Sequence, residues 1–421
     1  MKNSCLRAAD ILLPARQTIE NGRWAAIACD QFTSEPHYWE AADRHVGDAP
    51  STLRMILPEV YLRQTAERLP AIHAAMKEAL EHHLICHEQA MIAVERTQSD
   101  GRVRRGLVAM IDLEAYDYTQ GSTSLIRATE GTVLERIPPR VAVRRDALLE
   151  MPHVMLLIDD PEGTVLEPLF EGDGMSDIAY DTDLMLGGGH VKGSFVTKEE
   201  QQRVLAALDA LVTPDAMTAR YGDASLAPLL FAVGDGNHSL ATAKAAFEDI
   251  KSNNGPEAAM RHPARFALAE IVNLHDEALS FEPIYRVMFG VHPADVLDSL
   301  RAYAAKLSGT AAPQSVTCIG TFDTQKIVIE HPTQQLTVGT LQTFIDEYLK
   351  SHPEAEVDYI HGENSTRALA SKPDAIGFLF DGMEKSQLFR SVMIDGALPR
   401  KTFSMGHAQD KRYYMECRKI K

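Results

Sequence analysis

The chain has few cysteines, and their placement excludes two common kinds of stabilising site. The 421 residues contain five cysteines, and no two of them form a Cys-x-x-Cys pair. A zinc ribbon needs such pairs, and a disulfide framework needs many cysteines in a small secreted domain. The sequence therefore predicts neither, and this usage is typical of a reducing compartment. The cysteines are Cys5, Cys29, Cys86, Cys318 and Cys417.

Long apolar runs and a positive charge excess are also missing. No run approaches the roughly 18 apolar residues of a membrane span, and MKNSCLRAADILLPARQ lacks the apolar core of a signal peptide. The net charge is -17, from 42 basic and 59 acidic side chains. Such a surface lacks the positive field that nucleic acids and anionic membranes require. We therefore expect a cytoplasmic protein that binds neither nucleic acid nor membrane.

The chain does contain a mixture of strand-like and helix-period segments. With 421 residues, of which 45% are hydrophobic and 24% charged, it is long enough for two or three domains with ample cores. The mixture favours an α/β fold class with α+β character. From about residue 291 the chain changes to alternating short helix-like and strand-like segments. We therefore predict a core over residues 1–290 and a C-terminal α/β region over residues 291–421.

Several segments have patterns that predict a particular element. The runs MIAVERTQ and RRGLVAMIDL predict a hairpin that turns through Ser99–Gly101. Thr197 and Glu200 have the spacing of a capping box at a helix start. Other predicted elements are a strand over 24–32, a helix over 62–87 that Pro70 kinks or divides, and a helix over 256–274.

The most informative segment is LLFAVGDGNHSLATAKAAFEDI, residues 229–250. Its first five residues are an apolar run of interior-strand length, and its apolar residues after 239 recur at helical spacing. A polar turn joins the two patterns. It consists of Gly234, Asp235, Gly236, Asn237, His238 and Ser239.

This turn has the features of an anion-binding site. Glycines allow positive φ and close approach to a ligand, and the start of a helix offers N–H groups and a positive dipole end. The segment therefore predicts a phosphate at the turn. The alternative is that Asn237 or Ser239 only caps the helix while the glycines form a tight turn.

The turn and its helix resemble the domain-of-unknown-function family numbered 1015. That family carries Asp-Gly-His-His-Arg at this place. Asp235, Gly236 and His238 match, Asn237 takes the third position, and Ser239 replaces the arginine, which removes a bidentate phosphate ligand. Weaker likenesses extend the resemblance along nearly the whole chain. They carry Glu130 and Arg136 in RATEGTVLERIPPR, Arg286 in FEPIYR, and Lys401 and Thr402 in LPRKTFSMG.

The same turn is similar to the nucleotide loop shared by ParB, sulfiredoxin and the free serine kinases. This resemblance implies a ParB/sulfiredoxin-like core, with ATP or ADP against the turn, Mg²⁺, and phosphoryl transfer to a small hydroxylated metabolite. Sulfiredoxin chemistry would need a cysteine beside the motif, and none is adjacent in sequence, so the kinase branch leads. The alternatives are a non-catalytic nucleotide-binding regulatory module and a metal-assisted hydrolase built on the aspartates and histidines.

Phosphoryl transfer needs a carboxylate for a metal ion or a proton, and groups that face the phosphates. Asp235 can hold Mg²⁺ or take the hydroxyl proton, or else only shape the turn. His238 can donate to a phosphate oxygen, or else have a structural role. Glu130 is a candidate catalytic carboxylate, with a surface ion pair as the alternative.

The predicted nucleotide-binding residues come from three segments. These segments are the turn at 234–239, the arginine-rich segment RATEGTVLERIPPR and the GGGH segment. A solvated strand edge is the alternative for the arginines, and an ordinary flexible connection for the glycines. A zinc site at His83 and His87 has no suitable third ligand. The predicted residues are Gly234, Gly236, Asn237 and Ser239; Arg136 and Arg140; and Gly188 and Lys192.

Overall fold

The computed structural model describes residues 5–421, apart from 133–136, 152, 173–174 and 322–323. The chain divides into two compact units. The first holds residues up to Ala128, Thr132–Leu279 and Gly406–Lys421, and the second holds Thr129–Gly131 and Ser280–Met405. The second unit and the predicted C-terminal region share residues 291–405, whereas residues 280–290 and 406–421 are assigned differently. The boundary near residue 290 stays a prediction.

Strands and helices alternate along most of the described chain, which confirms the α/β class. The strands are β1 (Leu6–Arg7), β2 (Ala9–Pro14), β3 (Leu84–Ala90), β4 (Ile92–Thr97), β5 (Val103–Asp112), β6 (Tyr116–Asp117), β7 (Ile126–Ala128), β8 (Leu149–Glu150), β9 (Met155–Ile158), β10 (Ile178–Asp183), β11 (His190–Phe195), β12 (Phe231–Asp235), β13 (Phe266–Asn273), β14 (Phe281–Phe289), β15 (Gln314–Ile319), β16 (Gln325–Ile329), β17 (Glu356–His361), β18 (Ala375–Leu379), β19 (Phe403–Met405) and β20 (Arg418–Lys419). The helices are α1 (Arg16–Glu20), α2 (Pro36–Val46), α3 (Thr65–His82), α4 (Ile137–Arg145), α5 (Lys198–Leu211), α6 (Pro214–Tyr221), α7 (Asn237–Asn254), α8 (Pro256–Ala259), α9 (Pro293–Lys306), α10 (Thr337–Ser351), α11 (Glu363–Ala370) and α12 (Gln387–Asp395).

The first unit is built on a mixed sheet that, in the described residues, has ten strands. Nine follow the order β10-β11-β4-β5-β13-β9-β12-β7-β6, and β1 pairs with β5. Strand β12 lies between β9, which is antiparallel to it, and β7, which is parallel. Its apolar residues are buried, as the run LLFAV predicts for an interior strand. The predicted strand, turn and helix around residues 229–250 are therefore confirmed.

Helix α7 packs on this sheet through its apolar residues. Leu240, Ala243 and Phe247 belong to one core cluster with residues of β5, β9, β12 and β13. They recur three to four positions apart, so they share one face of the helix. This packing fixes the start of α7 against the end of β12.

The second unit has its own sheet and core. In the described residues its strands follow the order β16-β15-β18-β14-β17, and β19 pairs with β14. Ile319, Ala370 and Leu379 form a core cluster that Tyr285 contacts. Glu130 joins this unit through an isolated parallel bridge to Leu398. No helix in the described ranges is long and apolar enough to cross a membrane.

The two predictions based on turn and cap chemistry are confirmed. Strands β4 and β5 form an antiparallel hairpin around Gly101, whose φ is +84°. Thr197 and Glu200 form the capping box at the start of α5, with each side chain bonded to the other's backbone N–H. Short-range signals of this kind need no tertiary context, because the partners lie within four residues.

Two element predictions fail, the strand-edge alternative for the arginines is excluded, and the helix predicted over 62–87 is confirmed only over Thr65–His82. Segment 24–32 has only an isolated bridge at Ile27, and the arginines of 137–145 lie on helix α4 rather than on a strand edge. Helix α3 ends at His82, and β3 begins at Leu84, so His83 and His87 do not share a helix face. Within residues 256–274, only Pro256–Ala259 is α-helix (α8), and the strand β13 covers Phe266–Asn273. Short apolar runs do not distinguish a buried strand from a helix.

Candidate functional site

The turn after β12 opens helix α7 without a side chain at the cap. Gly236 is the N-cap, with φ +79° and ψ 28°, so Asn237 and Ser239 lie inside the first helical turn and neither is the cap. A Cβ at Gly236 would lie 3.1 Å from the Cα of Val154. Any residue with a Cβ is also strained at this positive φ. Glycine therefore lets the chain pass close to residues 153 and 154 before α7 starts.

An ion pair holds Asp235, the acidic residue of the turn. The Nζ atom of Lys411 lies 3.0 Å from an Oδ atom of Asp235, and the two side chains are 15% and 18% exposed. The other Oδ atom of Asp235 accepts from the N–H of Gly236 at 3.1 Å. Asp235 therefore shapes the turn and also carries a charge that Lys411 balances.

His153 connects the turn to two other segments. Its Nε2 atom lies 3.2 Å from Ser239 Oγ and 3.3 Å from a carboxylate oxygen of Asp30. Its Nδ1 atom lies 2.7 Å from the hydroxyl of Tyr414. The hydroxyl of Tyr414 in turn accepts from the backbone N–H of Cys29 at 3.0 Å. One buried imidazole thus orients Ser239 against side chains from both ends of the chain.

The charges around His153 favour its protonated form. Burial lowers the pKa of His153, but the carboxylates of Asp30, Asp235 and Glu59 raise it by more, so that the pKa lies above its ordinary value. Burial raises the pKa of Asp30, yet the charge and hydrogen bond of His153 pull it well below the usual range. The pair is therefore a cation facing an anion, with the cation beside Ser239.

A cavity of about 180 Å³ lies beside the start of α7. Ser239, His153 and Tyr414 line it together with apolar side chains such as Leu57 and Met76. This volume is close to that of a cavity of about 150 Å³ that takes up benzene. The cavity therefore has room for a small molecule, but not for a whole nucleotide.

Arg140 on α4 reaches the same cavity. Its Nε atom donates to a carboxylate oxygen of Glu59 at 3.0 Å, and both residues line the cavity. Their side chains are 17% and 20% exposed, so a ligand can compete with Glu59 for the guanidinium. The structure thus brings together two predicted residues, Arg140 and Ser239, that are about a hundred positions apart in sequence.

Cys29 also lines this cavity, although no cysteine is adjacent to the turn in sequence. Burial, together with the charge of Asp30, raises the pKa of the Cys29 thiol to about 12. A thiol with this pKa stays protonated at neutral pH and is a poor nucleophile. The presence of Cys29 in the cavity therefore does not support a sulfiredoxin-like reaction.

Of the other predicted residues that the structure describes, Gly188, Lys192 and Glu130 do not line this cavity. Gly188 contacts the C-terminal segment: its carbonyl accepts from buried Arg96, and a Cβ there would overlap the hydroxyl of Tyr413. Lys192 lies on β11, five strands along the sheet from β12. Glu130 belongs to the second unit, and Arg136 lies outside the described residues. The roles predicted for these residues stay predictions.

The other predicted turn residues lie around the start of α7. Gly234 is part of β12, and Asn237 is the first residue of α7. His238 is half-buried, and its carbonyl accepts from the hydroxyl of Thr242 at 2.7 Å. Over the ranges that the structure describes, no three His, Cys, Asp or Glu side chains are grouped to hold a metal ion. Any Mg²⁺ at Asp235 would therefore need further ligands from a nucleotide.

Sequence reasoning missed the residues that complete this site. Asp30, His153, Lys411 and Tyr414 lie far from the turn in sequence and meet it only in the folded unit. The segment KRYYME combines two cations with two aromatic residues, which is the one local signal that marked part of it. His153 stands alone between apolar residues and gave no such signal.

Comparisons with known proteins give one clear result. A family model described as "Protein of unknown function (DUF1015)" matches residues 12–396. No curated protein sequence matches the chain.

Solved structures give weaker likenesses. A conserved hypothetical protein from Pyrococcus furiosus has a TM-score of 0.34 and 12% identity, over 71% of this chain and 90% of its own. A free serine kinase mutant in complex with ADP has a TM-score of 0.38 and 10% identity, over 74% and 91%. SbnI with a C-terminal truncation, from Staphylococcus aureus, has a TM-score of 0.35 and 10% identity, over 73% and 85%. TM-scores this low carry no argument about function.

Proposed function

We propose, for a chain that belongs to the DUF1015 family of proteins of unknown function, that the turn between β12 and α7 binds the phosphate chain of ATP or ADP. The observation that carries the proposal is that a helix N-terminus lies next to a cavity. The N-terminus of an 18-residue helix opens behind a left-handed glycine, and a cavity lined by Ser239 and Arg140 lies beside it. Helix N-termini favour anions through their N–H groups and dipole.

Positive charge near Ser239 supports the same conclusion. The family motif has an arginine at this position, and the serine of this chain carries no charge. His153, whose pKa is raised, has its Nε2 atom 3.2 Å from Ser239 Oγ. Arg140 lines the same cavity, and Lys411 neutralises Asp235 beside it. Each of these cations is paired with a carboxylate, so a phosphate would compete with Asp30, Glu59 and Asp235 for them.

The finer proposal is phosphoryl transfer to a small hydroxylated metabolite in the cavity. The substrate hydroxyl oxygen forms a bond to the terminal phosphorus of ATP, and the bond from that phosphorus to the ADP oxygen breaks. The hydroxyl proton passes to the carboxylate of Asp235 once this carboxylate leaves Lys411. Mg²⁺ bound to the nucleotide would neutralise phosphate charge. A cavity of about 180 Å³ suits such a small substrate.

A second candidate is a nucleotide-binding module without catalysis. The ion pair between Asp235 and Lys411 favours this candidate, because the paired carboxylate is occupied. In this candidate the nucleotide binds at the same turn, and no phosphoryl group moves. The two candidates therefore share the site and differ in turnover.

The test begins with thermal unfolding in the presence of ADP or ATP, with and without Mg²⁺. A ligand that binds only the folded state raises the melting temperature, so we expect a rise that saturates with ADP concentration. Arg140→Ala should weaken ADP binding about tenfold or more, since a charge-assisted contact is lost and Glu59 remains unpaired. The matched control is Arg145→Ala on the same helix, which lines a different cavity.

Turnover decides between the candidates. The wild type is incubated with ATP, Mg²⁺ and a panel of small hydroxylated metabolites that begins with L-serine, and phosphorus NMR follows the products. ADP and a phosphate ester formed together support the kinase. Saturable ADP binding without ester across the panel supports the module. A melting temperature that no nucleotide changes would overturn both.

A further inference from the structure

A second cavity lies in the first unit, on the other side of α4. It has a volume of about 500 Å³ and lies between α4, the C-terminal half of α7 and the segment around His262. Ligand cavities commonly measure about 300–1,000 Å³. We propose that this cavity binds a small organic anion with an apolar body.

The apolar half of the cavity comes from core side chains. Val141 and Ala246 belong to one buried cluster, Ala264 and Ile420 are buried, and Ile250 is partly buried. These five line one continuous cavity. An apolar body bound here would remove their remaining surface from water, which favours binding.

The charged half of the cavity is positive, although the chain carries a net charge of -17. Three cations line it, Arg144, Arg145 and Lys421, against one carboxylate, Asp249. Clustered positive charge on an acidic protein raises the local concentration of anions. The lining therefore selects for a negative ligand.

Two of these cations have capacity for a ligand. Within the described part of the chain, Arg145 has no ion-pair partner, whereas Lys421 lies 3.3 Å from Asp146. Arg144 donates to Glu150 through one nitrogen, but its buried Nε atom has no hydrogen-bond partner in the described residues. An unsatisfied buried donor is costly. Turning the guanidinium of Arg144 toward an anion in the cavity would satisfy it.

His262 adds a neutral donor to the same wall. Its Nδ1 atom accepts from the backbone N–H of Ala264 at 3.1 Å, which leaves the ring proton on Nε2. Burial lowers the pKa of His262, and the charge of Lys421 lowers it further, so the ring is neutral at pH 7. A neutral donor discriminates in favour of a ligand oxygen without adding charge.

The probe for this site is 8-anilino-1-naphthalenesulfonate, which combines an apolar body with one sulfonate. We expect a saturable rise of its fluorescence with the folded wild type at pH 7. Arg145→Ala should weaken the affinity about fivefold, because the uncompensated cation is lost. Asn253→Phe should abolish the rise, since an aromatic ring would occupy the space beside α7. Both positions are exposed, so neither change should impair folding.

Two controls identify the cavity. Arg140→Ala changes the first cavity only, and Arg203→Ala removes an exposed arginine on α5. Both should leave the affinity for the probe within twofold of the wild type. Circular dichroism verifies that each variant is folded. The proposal is overturned if the wild type shows no saturable rise, if Arg145→Ala and Asn253→Phe bind as the wild type does, or if Arg140→Ala alone loses binding.

Discussion

Lys411 and Arg412 are neighbours in the chain, but they belong to two ionic clusters with different surroundings. Arg412 is 6% exposed and donates to Glu270 and Glu416, which are each 1% exposed. Lys411 pairs with Asp235 at the edge of the turn, where both side chains remain partly exposed. The same ion-pair chemistry therefore occurs once inside the core and once at a partly exposed turn.

The inner cluster has no room for a ligand. Glu270 also faces Arg104, and Glu416 also accepts from the hydroxyl of Tyr180. Burial raises the pKa of Glu270, but Arg104 and Arg412 lower it by more, so Glu270 stays ionised. Charge by itself thus does not identify a functional site. What distinguishes the pair at the turn is that Lys411 and Asp235 remain partly exposed, so a ligand can compete for either charge.

Removing the inner cation should give the largest effect. We expect Arg412→Ala to lower the free energy of unfolding by about 3–5 kcal/mol, because two buried carboxylates lose their partner. Urea denaturation measures this change. Arg203→Ala serves as the exposed control and should change the free energy by less than about 0.5 kcal/mol. A loss below about 1 kcal/mol for Arg412→Ala would show that the inner cluster is not a structural necessity.

The next largest effect should come from His153, and it measures how much the pair with Asp30 stabilises the fold. We expect His153→Gln to cost about 1.5–3 kcal/mol, because a hydrogen-bonded charge pair with Asp30 is lost. The raised pKa of His153 stabilises the fold fully below the unfolded pKa of about 6.5, and this contribution is lost as pH rises through the folded pKa. The lowered pKa of Asp30 acts above about pH 4 and is lost at lower pH.

The pH dependence therefore has a defined shape. The difference in unfolding free energy between wild type and His153→Gln should be largest between about pH 4 and pH 6.5 and should fall on both sides. Urea unfolding at a series of pH values measures it, and groups common to both proteins cancel in the difference. A difference that grows as pH rises above 7 would contradict the assignment of His153 as the cation of the pair.

The backbone of the turn should contribute a smaller amount. Gly236→Ala should cost about 1–2 kcal/mol, since alanine is strained at φ +79° and its Cβ meets Val154. Gly222 is a matched control, with φ +71° and no atom within 4 Å of an added Cβ. Thermal unfolding of both variants separates strain from contact. Equal costs would show that the approach of residue 236 to Val154 is unimportant.

The sequence predicts the elements around the turn, but it does not predict the partners that lie far from the turn in the chain. The strand, turn and helix around Gly236 follow from apolar spacing and glycine, which act within a few residues. The partners of the turn, Lys411 and His153, depend on how the C-terminal segment and β9 meet it, and no local pattern encodes that. Strand β13 differs from the predicted helix because its short apolar run fits either element, and the arginines that pair with its buried Glu270 are distant in sequence.

The smallest effect on stability should come from Lys411, and it should be accompanied by a change in ligand binding. Lys411→Ala removes a partly exposed pair, so we expect the free energy of unfolding to fall by about 1 kcal/mol or less. The variant leaves the carboxylate of Asp235 uncompensated beside the start of α7, and this charge repels phosphate. ADP affinity should therefore fall about tenfold, whereas Arg203→Ala should leave it unchanged. Titration calorimetry and urea unfolding on the same samples measure both quantities. If Lys411→Ala destabilised the fold as much as Arg412→Ala and left ADP affinity intact, the two neighbours would share one structural role.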